Sequence, residues 1–302
     1  MILHMLVFTK LDALSATTRK AHELMLDAAE RHGHELRIFS DCDCQMIFGS
    51  KPRIVIRDMQ VEDIRVLFVR ANLSGAKLQF RRTIIKQFEL MGIHVINREE
   101  AVMNAKNKLR NLQVLTEHNI PIPKTYVVSH AGNLDNTLRD FGRFPIILKT
   151  PSGSQGKGVA IIESKRGLKS VIEMFDNGEP IVLQQYVKES SGKDIRVFVV
   201  GNQVVGAMMR ETTQRGEFRS NFHLGGKVSM TELSDHEKTL AMAATKACGL
   251  DVAGVDILRT NDGPKVIEVN ANPGLEGITQ ATGIDIAGAL IRFMAGNAWT
   301  AS

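Results

Sequence analysis

D-I-L-R-T-N-D-G-P-K-V-I-E-V-N-A-N-P-G, Asp256 to Gly274, is the stretch on which the reading of the fold turns. It has the pattern of a β-hairpin. Asp256 to Thr260 is one strand, Asn-Asp-Gly reverses the chain, and Lys265 to Asn270 returns. A three-residue loop of Asn261, Asp262 and Gly263 sets Thr260 against Pro264 and Asp256 against Glu268. Opposed residues share a face with Cβ atoms roughly 5 Å apart, and Asn270, two positions on from Glu268, projects from that same face. Two facing carboxylates repel unless a divalent cation lies between them. Two carboxylates and an amide oxygen form the hard, incomplete oxygen set that magnesium uses when phosphates and water supply the rest.

Parity decides this argument. A two-residue loop sets Asp256 opposite Val269 and sends the acids to opposite faces. Acids that are merely solvated on an exposed hairpin are the other reading. Two neighbouring features favour a ligand-facing edge. Val255, Ile257, Ile267 and Val269 make the opposite face apolar, and Asn272-Pro273-Gly274 stops the strand abruptly.

The chain has 302 residues, enough for two or three lobes around a real core. With 43% hydrophobic and 24% charged residues it is an ordinary globular composition. Aromatics are only 5%, which argues against stacking platforms for single-stranded nucleic acid. The net charge of +5 suits a polyanionic ligand or an acidic partner, and a solvated basic surface accounts for it equally. Cys42 and Cys44 are too close for an ordinary disulfide, and no zinc-type ligand pair follows, so reduced thiols in a cytoplasmic protein are expected. No apolar run reaches membrane-span length, and Met1 to Phe8 reads as a strand rather than a signal peptide.

Residues 1–104 alternate strand and helix, which predicts an open α/β lobe on a parallel sheet. The strands expected are Leu3 to Phe8, Glu35 to Phe39, Ile54 to Arg57, Val66 to Val69 and His94 to Asn97. One helix carries Ala21, Leu24, Met25 and Ala28 inward, and another runs from about Ala76 to Met91. The first crossover lacks the glycines of a dinucleotide-binding turn. Arg70 ends an apolar strand, either facing a ligand or simply solvated. Ala101 to His118 reads as one helix bearing Lys108. Pro145 to Lys149 is an apolar strand ending in lysine, followed by P-S-G-S-Q-G-K-G-V. Glycines at 153, 156 and 158 let backbone N–H groups turn toward an anion, although the spacing is neither a Walker A loop nor G-x-G-x-x-G. Pro180 to Val187 runs out into polar residues whose amides suit an adenine edge. A hairpin around Gly201-Asn202 leads to a polar loop holding Arg210, Arg215 and Arg219. A helix from Asp235 to Ala247 is expected to bury Leu240, Ala243, Ala244 and Ala247. A last one from Ile284 is expected to bury Ala287, Leu290, Ile291 and Met294.

Lysine on a helix, strand-lysine with glycine loop, polar hinge, arginine–serine–asparagine and D…E-x-N hairpin follow in an order that resembles the RimK-like ATP-grasp ligases. The stretches that carry it run from about Gln87 to Ile291. They include N-K-L-R-N-L-Q, G-S-Q-G-K-G-V, G-K-D-I-R-V-F-V-V-G, G-E-F-R-S-N-F-H-L-G-G and E-V-N-A-N-P-G-L-E-G-I. The resemblance implies an ATP-grasp fold of mixed α/β and α+β class. An N-terminal pre-ATP-grasp α/β lobe (1–104) would precede two α+β lobes enclosing ATP, 105–187 with the glycine-rich loop and 188–302 with the metal site. It implies that Lys108 and Lys149 hold ATP phosphates while Gly153, Ser154, Gly156 and Gly158 close over them. Gln184, Gln185, Tyr186 and Val187 would cradle adenine, and Asp194 would face the ribose with Arg196 beside the nucleotide. Arg219, Ser220 and Asn221 would line the phosphate side, with Arg210 and Arg219 stabilising the transferring phosphoryl group. Asp256, Glu268 and Asn270 would bind magnesium or manganese, as two ions.

The implied reaction is ADP-forming addition of L-glutamate to a protein C-terminus through an acyl phosphate. The implied acceptor is ribosomal protein S-six and the implied assembly a homo-oligomer, with no direct nucleic-acid or membrane partner. Sibling families use small-molecule or carrier-protein acceptors, and a nucleotide-binding module without turnover is a further alternative. Two departures stand out. Gln185 replaces an acidic hinge residue, and the motif match thins before about Val66.

Overall fold

The computed structural model describes residues 1–12, 14–57, 59, 61–70, 73, 75–129, 134–150, 158–174, 180–213 and 226–300. Its first sheet is parallel, in the order β2-β1-β5-β6. It is built from β1 (Ile2–Val7), β2 (Glu35–Ser40), β5 (Val66–Val69) and β6 (His94–Ile96). Helix α1 (Ala16–Arg31) begins at Ser15, whose hydroxyl accepts from the Thr18 amide, and lays Ala21, Met25, Ala28 and Ala29 inward. Helix α2 (Leu78–Leu90) buries Ile84, Ile85 and Phe88 on the other face. Cys44–Ile47 (β3) and Arg53–Ile56 (β4) form a separate antiparallel pair, so the expected third parallel strand near Ile54 is half of a hairpin.

The helix expected over Ala101 to His118 is two: α3 (Glu99–Lys106) and α4 (Lys108–Glu117). Asn107 breaks it. Its extended backbone (φ −84°, ψ 109°) frees the side chain to accept from the Leu109 and Arg110 amides, a helix start that competes with continuation.

The second sheet is antiparallel, in the order β7-β10-β8-β9. Its strands are β7 (Thr125–Val128), β8 (Ile146–Lys149), β9 (Val159–Ile162) and β10 (Ile181–Gln185). Helices α5 (Leu134–Phe141) and α6 (Lys165–Met174) belong to this sheet, which has its own core.

The third sheet is also antiparallel, in the order β13-β12-β11-β14-β15. It comprises β11 (Lys193–Val200), β12 (Gln203–Glu211), β13 (Lys227–Met230), β14 (Val252–Thr260) and β15 (Gly263–Asn270). Helix α7 (Asp235–Ala247) starts in a Ser234–Glu237 capping box and buries Leu240, Ala241, Ala244 and Thr245. Ala243 is exposed, so its apolar stripe is rotated from the one expected. Helix α8 (Glu276–Thr282) precedes α9 (Ile286–Thr300), which buries all four residues expected of it. One apolar cluster joins Leu3, Met5 and Phe68 of the first sheet to Phe198 and Met208 of the third through Leu290, Ile291 and Met294 of α9.

Asn97 fastens the first lobe to the end of the hairpin. It is fully buried, with φ at +60°, a region Asn tolerates better than most residues. Its Oδ1 accepts from the Asp251 and Val252 amides, both at 2.9 Å. Its Nδ2 donates to the carbonyls of Val252 (2.8 Å) and Ala271 (2.9 Å). Asn97→Ala leaves these backbone groups sealed without partners. A loss of about 3 kcal/mol in unfolding free energy by denaturant titration is expected. A change under about 1 kcal/mol would show that the clamp is not holding the lobes.

Candidate functional site

The hairpin reaches the expected pairing by an unexpected route. Thr260 pairs with Gly263, so the turn has two residues, Asn261 and Asp262. Continued unchanged, that register turns Glu268 away from Asp256. A β-bulge intervenes between Ile257↔Val266 and Asp256↔Glu268, inserting Ile267 without a partner. It restores Asp256 opposite Glu268 and Gly254 opposite Asn270. Bulges beside functional sites re-aim side chains in this way. Val266 consequently takes the core position expected of Ile267. Val266, Val255, Ile257 and Val269 lie in the buried cluster beneath α7, and Ile267 is half-buried outside it. Asn270 Nδ2 donates to Glu268 Oε1 at 3.0 Å, which draws these two side chains together. Gly254 lies under Pro273 and Arg196: a Cβ there would meet Pro273 Cβ at 2.7 Å and Arg196 Cδ at 3.0 Å.

Four strands contribute charge to this face. Arg196 opposes Asp256, and Asp194 opposes Arg210. Arg196 donates through Nε to Asp256 Oδ1 and through Nη2 to Oδ2 at 2.8 Å. Arg210 reaches Asp256 Oδ2 through Nη2 at 2.8 Å and Asp194 Oδ1 through Nε at 2.6 Å. Arg210 is therefore a buried residue of β12 and not part of a polar loop. Burial opposes the charge of both central groups, yet their partners prevail. Asp256 is held below the usual carboxylate range by Arg196 and Arg210, and Arg210 is held above its ordinary value by Asp256 and Asp194. Asp194, expected toward a ribose, has its carboxylate on Arg210 instead.

A carboxylate offers about four lone-pair sites. The two arginines take one on Asp256 Oδ1 and two on Oδ2, so Oδ1 keeps one open to a further ligand. Among the described residues, no arginine of this lattice bonds to Glu268 or Asn270. No group of three His, Cys, Asp or Glu able to hold an ion occurs among the described residues. The donor set thus fits a hard cation that brings phosphate and water oxygens with it, and does not fit a zinc-type ion.

Two lysines from other elements come together at the end of β8. Lys149 ends β8, and its Nζ donates to Gln184 Oε1 at 2.7 Å. Burial lowers its pKa; Glu268 and Asp256 work in the opposite direction, while Lys108 adds to the lowering. Lys108 opens α4, and its Nζ donates to the Thr150 carbonyl at 3.3 Å. Its pKa is also lowered by burial, with Glu268 opposing. Both ammonium groups thus lie within electrostatic reach of Glu268, and Lys149 within reach of Asp256 as well.

At the hinge, Gln184 is buried. It accepts from Lys149 and donates through Nε2 to Thr125 Oγ1 at 2.9 Å, so its side chain supports the lysine. The Gln185 amide is committed to the Lys124 carbonyl at 2.8 Å. The Tyr186 hydroxyl lies 2.5 Å from Ser191 Oγ, and Val187 is buried. Gly158, at φ +74°, accepts from the Thr150 amide at 2.8 Å and closes the base of the glycine loop. Gly153, Ser154, Gly156, Arg215, Arg219, Ser220 and Asn221 lie outside the described residues. Sequence reading missed Asn107, which starts the helix that presents Lys108, and Thr125, which fixes Gln184. An asparagine directly before K-L-R-N was the available signal for the first; an isolated threonine gave none for the second.

Residues 105–294 match the RimK-like ATP-grasp domain, and residues 10–102 match the RimK PreATP-grasp domain. The second match starts well before Val66, where the motif resemblance thinned. The chain is 39% identical over 274 residues to a probable alpha-L-glutamate ligase of Vibrio vulnificus, covering 90% of each chain. It is also 39% identical over 298 residues to probable alpha-L-glutamate ligase 1 of Shewanella frigidimarina, covering 98% of this chain and 96% of that one. Among solved structures, the ATP-grasp ligase PsnB complexed with minimal precursor, Mg and ADP superposes with a TM-score of 0.76 at 20% identity, covering 98% of this chain and 97% of that one. D-alanine--D-alanine ligase from Bacillus anthracis superposes with a TM-score of 0.70 at 17% identity, covering 99% and 98%. These likenesses show the ATP-grasp fold, and the family matches across nearly the whole length show that the chain belongs to the RimK-like ATP-grasp family of ligases.

Proposed function

We propose that this protein adds L-glutamate to the C-terminal carboxylate of a protein, with ribosomal protein S-six as the acceptor, while ATP is converted to ADP and phosphate. The observation that carries the reading is that Lys108 of α4 reaches the Thr150 carbonyl, directly after Lys149, while Asp256 and Glu268 face each other on the hairpin. In the reaction the acceptor carboxylate attacks the γ-phosphorus of ATP, and ADP leaves. The amine of glutamate then attacks the acyl phosphate carbon, loses a proton and expels phosphate. Such chemistry needs positioning and charge neutralisation rather than a side-chain nucleophile. Lys108 and Lys149 hold the nucleotide phosphates, and Arg210 and Arg219 stabilise the transferring group. Arg196 and Arg210 orient Asp256 so that its remaining lone pair faces Glu268 and Asn270. Two magnesium or manganese ions, held by Asp256, Glu268 and Asn270, supply neutralisation of phosphate charge when bound. Gly153, Ser154, Gly156 and Gly158 cover the phosphates. Gln185, Tyr186 and Val187 edge the adenine, and Ser220 and Asn221 line the phosphate side.

In this reading the lobes divide near residues 104 and 187, and the enzyme acts in the cytoplasm as a homo-oligomer. No helix among the described residues is long and apolar enough to cross a membrane. The curated relatives' names support glutamate as the added residue, and peptide precursors in the PsnB complexes accord with a polypeptide acceptor.

The test incubates the purified protein with ATP, magnesium and glutamate against three acceptors. These are intact ribosomal protein S-six, its C-terminal peptide and small dicarboxylates. ADP release that requires both glutamate and the protein or peptide, with a matching gain in acceptor mass, is the expected result. Mass gain on the dicarboxylates alone would replace the protein acceptor with a small one. Nucleotide binding without ADP release under any combination would overturn the enzyme.

A further inference from the structure

Arg70 follows β5 at the carboxyl end of the parallel sheet, the edge at which open α/β sheets bind ligands. It is not the solvated strand end that its sequence position allows. Its Nη2 donates to the Pro273 carbonyl at 3.1 Å, across 203 positions of chain. Its Nη1 is sealed from solvent and has no hydrogen-bond partner among the described residues. Burial lowers the pKa of the guanidinium to about 10, and no acid among the described residues offsets that effect. The nearby titratable group is His22, whose own pKa is lowered by burial and then by Arg70, so it is no counter-charge. A buried guanidinium with an idle donor is costly, and every other arginine in the described part of this site holds a carboxylate.

The location gives the orphan donor a meaning. Pro273, which holds Nη2, stands directly over Gly254, and Gly254 opposes Asn270 of the hairpin. Arg70 therefore approaches the end of the Asp256–Asn270 hairpin from the first lobe. A planar guanidinium with one nitrogen anchored on a carbonyl is pre-oriented to offer its other nitrogen to a carboxylate.

We propose that Arg70 is a substrate-carboxylate anchor, a binding residue that holds a carboxylate of either the incoming amino acid or the acceptor beside the Asp256–Asn270 hairpin. This rests on the ligase reading for the identity of the substrates, but not for the anion site itself. Two variants test it. Arg70→Met keeps the stem and removes the charge; Arg70→Lys keeps a charge and one donor to the Pro273 carbonyl but loses the fork.

Titration calorimetry with glutamate and with glutarate, each in the presence of ADP and magnesium, reads the anion site without turnover. A parallel titration of ADP alone serves as the structural control. The expected result is that Arg70→Met weakens binding of at least one of these carboxylates about 10- to 100-fold, Arg70→Lys restores part of it, and ADP affinity stays within about twofold. Steady-state kinetics then separate the sources. A raised KM for glutamate alone assigns the incoming amino acid, and a raised KM for the acceptor alone assigns the acceptor.

Equal carboxylate affinity in the wild type and both variants would overturn the proposal. So would loss of ADP affinity in step with carboxylate affinity, or no carboxylate binding by the wild type. Arg70-dependent carboxylate binding by a protein that forms no product would retain the anchor and defeat the glutamate-ligase reading instead.

Discussion

Glu268→Gln is expected to lower turnover by about 10³-fold or more while the protein stays folded. The substitution keeps the shape of the side chain and an oxygen able to accept the 3.0 Å bond from Asn270 Nδ2. What it removes is charge, and that charge acts twice. It is half of the opposed carboxylate pair that would hold a divalent ion. It is also the foremost influence keeping Lys108 and Lys149 protonated against burial. Without it both lysines titrate at still lower pH, so any residual activity should fall off on the alkaline side earlier than in the wild type. Turnover measured as ADP release across pH, with a thermal melt to confirm folding, checks both halves. Activity within tenfold of wild type would defeat the metal assignment.

Lys149→Met is expected to reduce kcat/KM for ATP by about 10²- to 10³-fold and to move the melting temperature by less than about 4 °C. Two effects on stability oppose each other. The variant strands Gln184 Oε1, which accepts from Nζ at 2.7 Å, and it relieves the desolvation of a buried cation. The sign of the second follows from linkage. The folded-state pKa lies below the ordinary lysine value of 10.5, so the unfolded chain binds more protons in the interval between them. Stability rises with pH through that interval, and below it the full penalty is present. Below the folded-state pKa the wild type therefore carries the whole cost, and the methionine variant none. Denaturant titrations at neutral and alkaline pH should show an alkaline gain from this group in the wild type that is missing in the variant. A collapse in melting temperature would show that Lys149 is a structural residue.

The hairpin shows how much of the site was legible in the sequence. Period-two alternation around Asp256 and Glu268 marked the acidic face correctly, because alternation survives wherever pairing is regular. The route to it was not legible. The turn is one residue shorter than expected, and Val266-Ile267 offers two apolar residues in succession. Either could point inward, so composition alone does not say which one bulges. Helix content was easier to read than helix boundaries. The break at Asn107 depends on a side chain outcompeting its own backbone, a contest that an apolar stripe does not register. Arg210 looked like loop because the charges after it are dense, yet its partners Asp194 and Asp256 arrive from positions 16 and 46 residues away. Asn97 and Arg70 were opaque for the same reason: what they do is set by contacts more than 150 residues distant.

Helix α9 and the first strand of the parallel sheet share one buried cluster. Leu3 and Met5 belong to it together with Leu290, Ile291 and Met294, more than 280 positions later in the chain. Helix α1 adds Met25, Ala28 and Ala29 to that cluster, so part of it can form early, but it is complete only after α9 has been synthesised. The second sheet faces no such delay, since the described residues of its core fall within 126–183. That sheet can therefore close its core while the first lobe is still missing a wall.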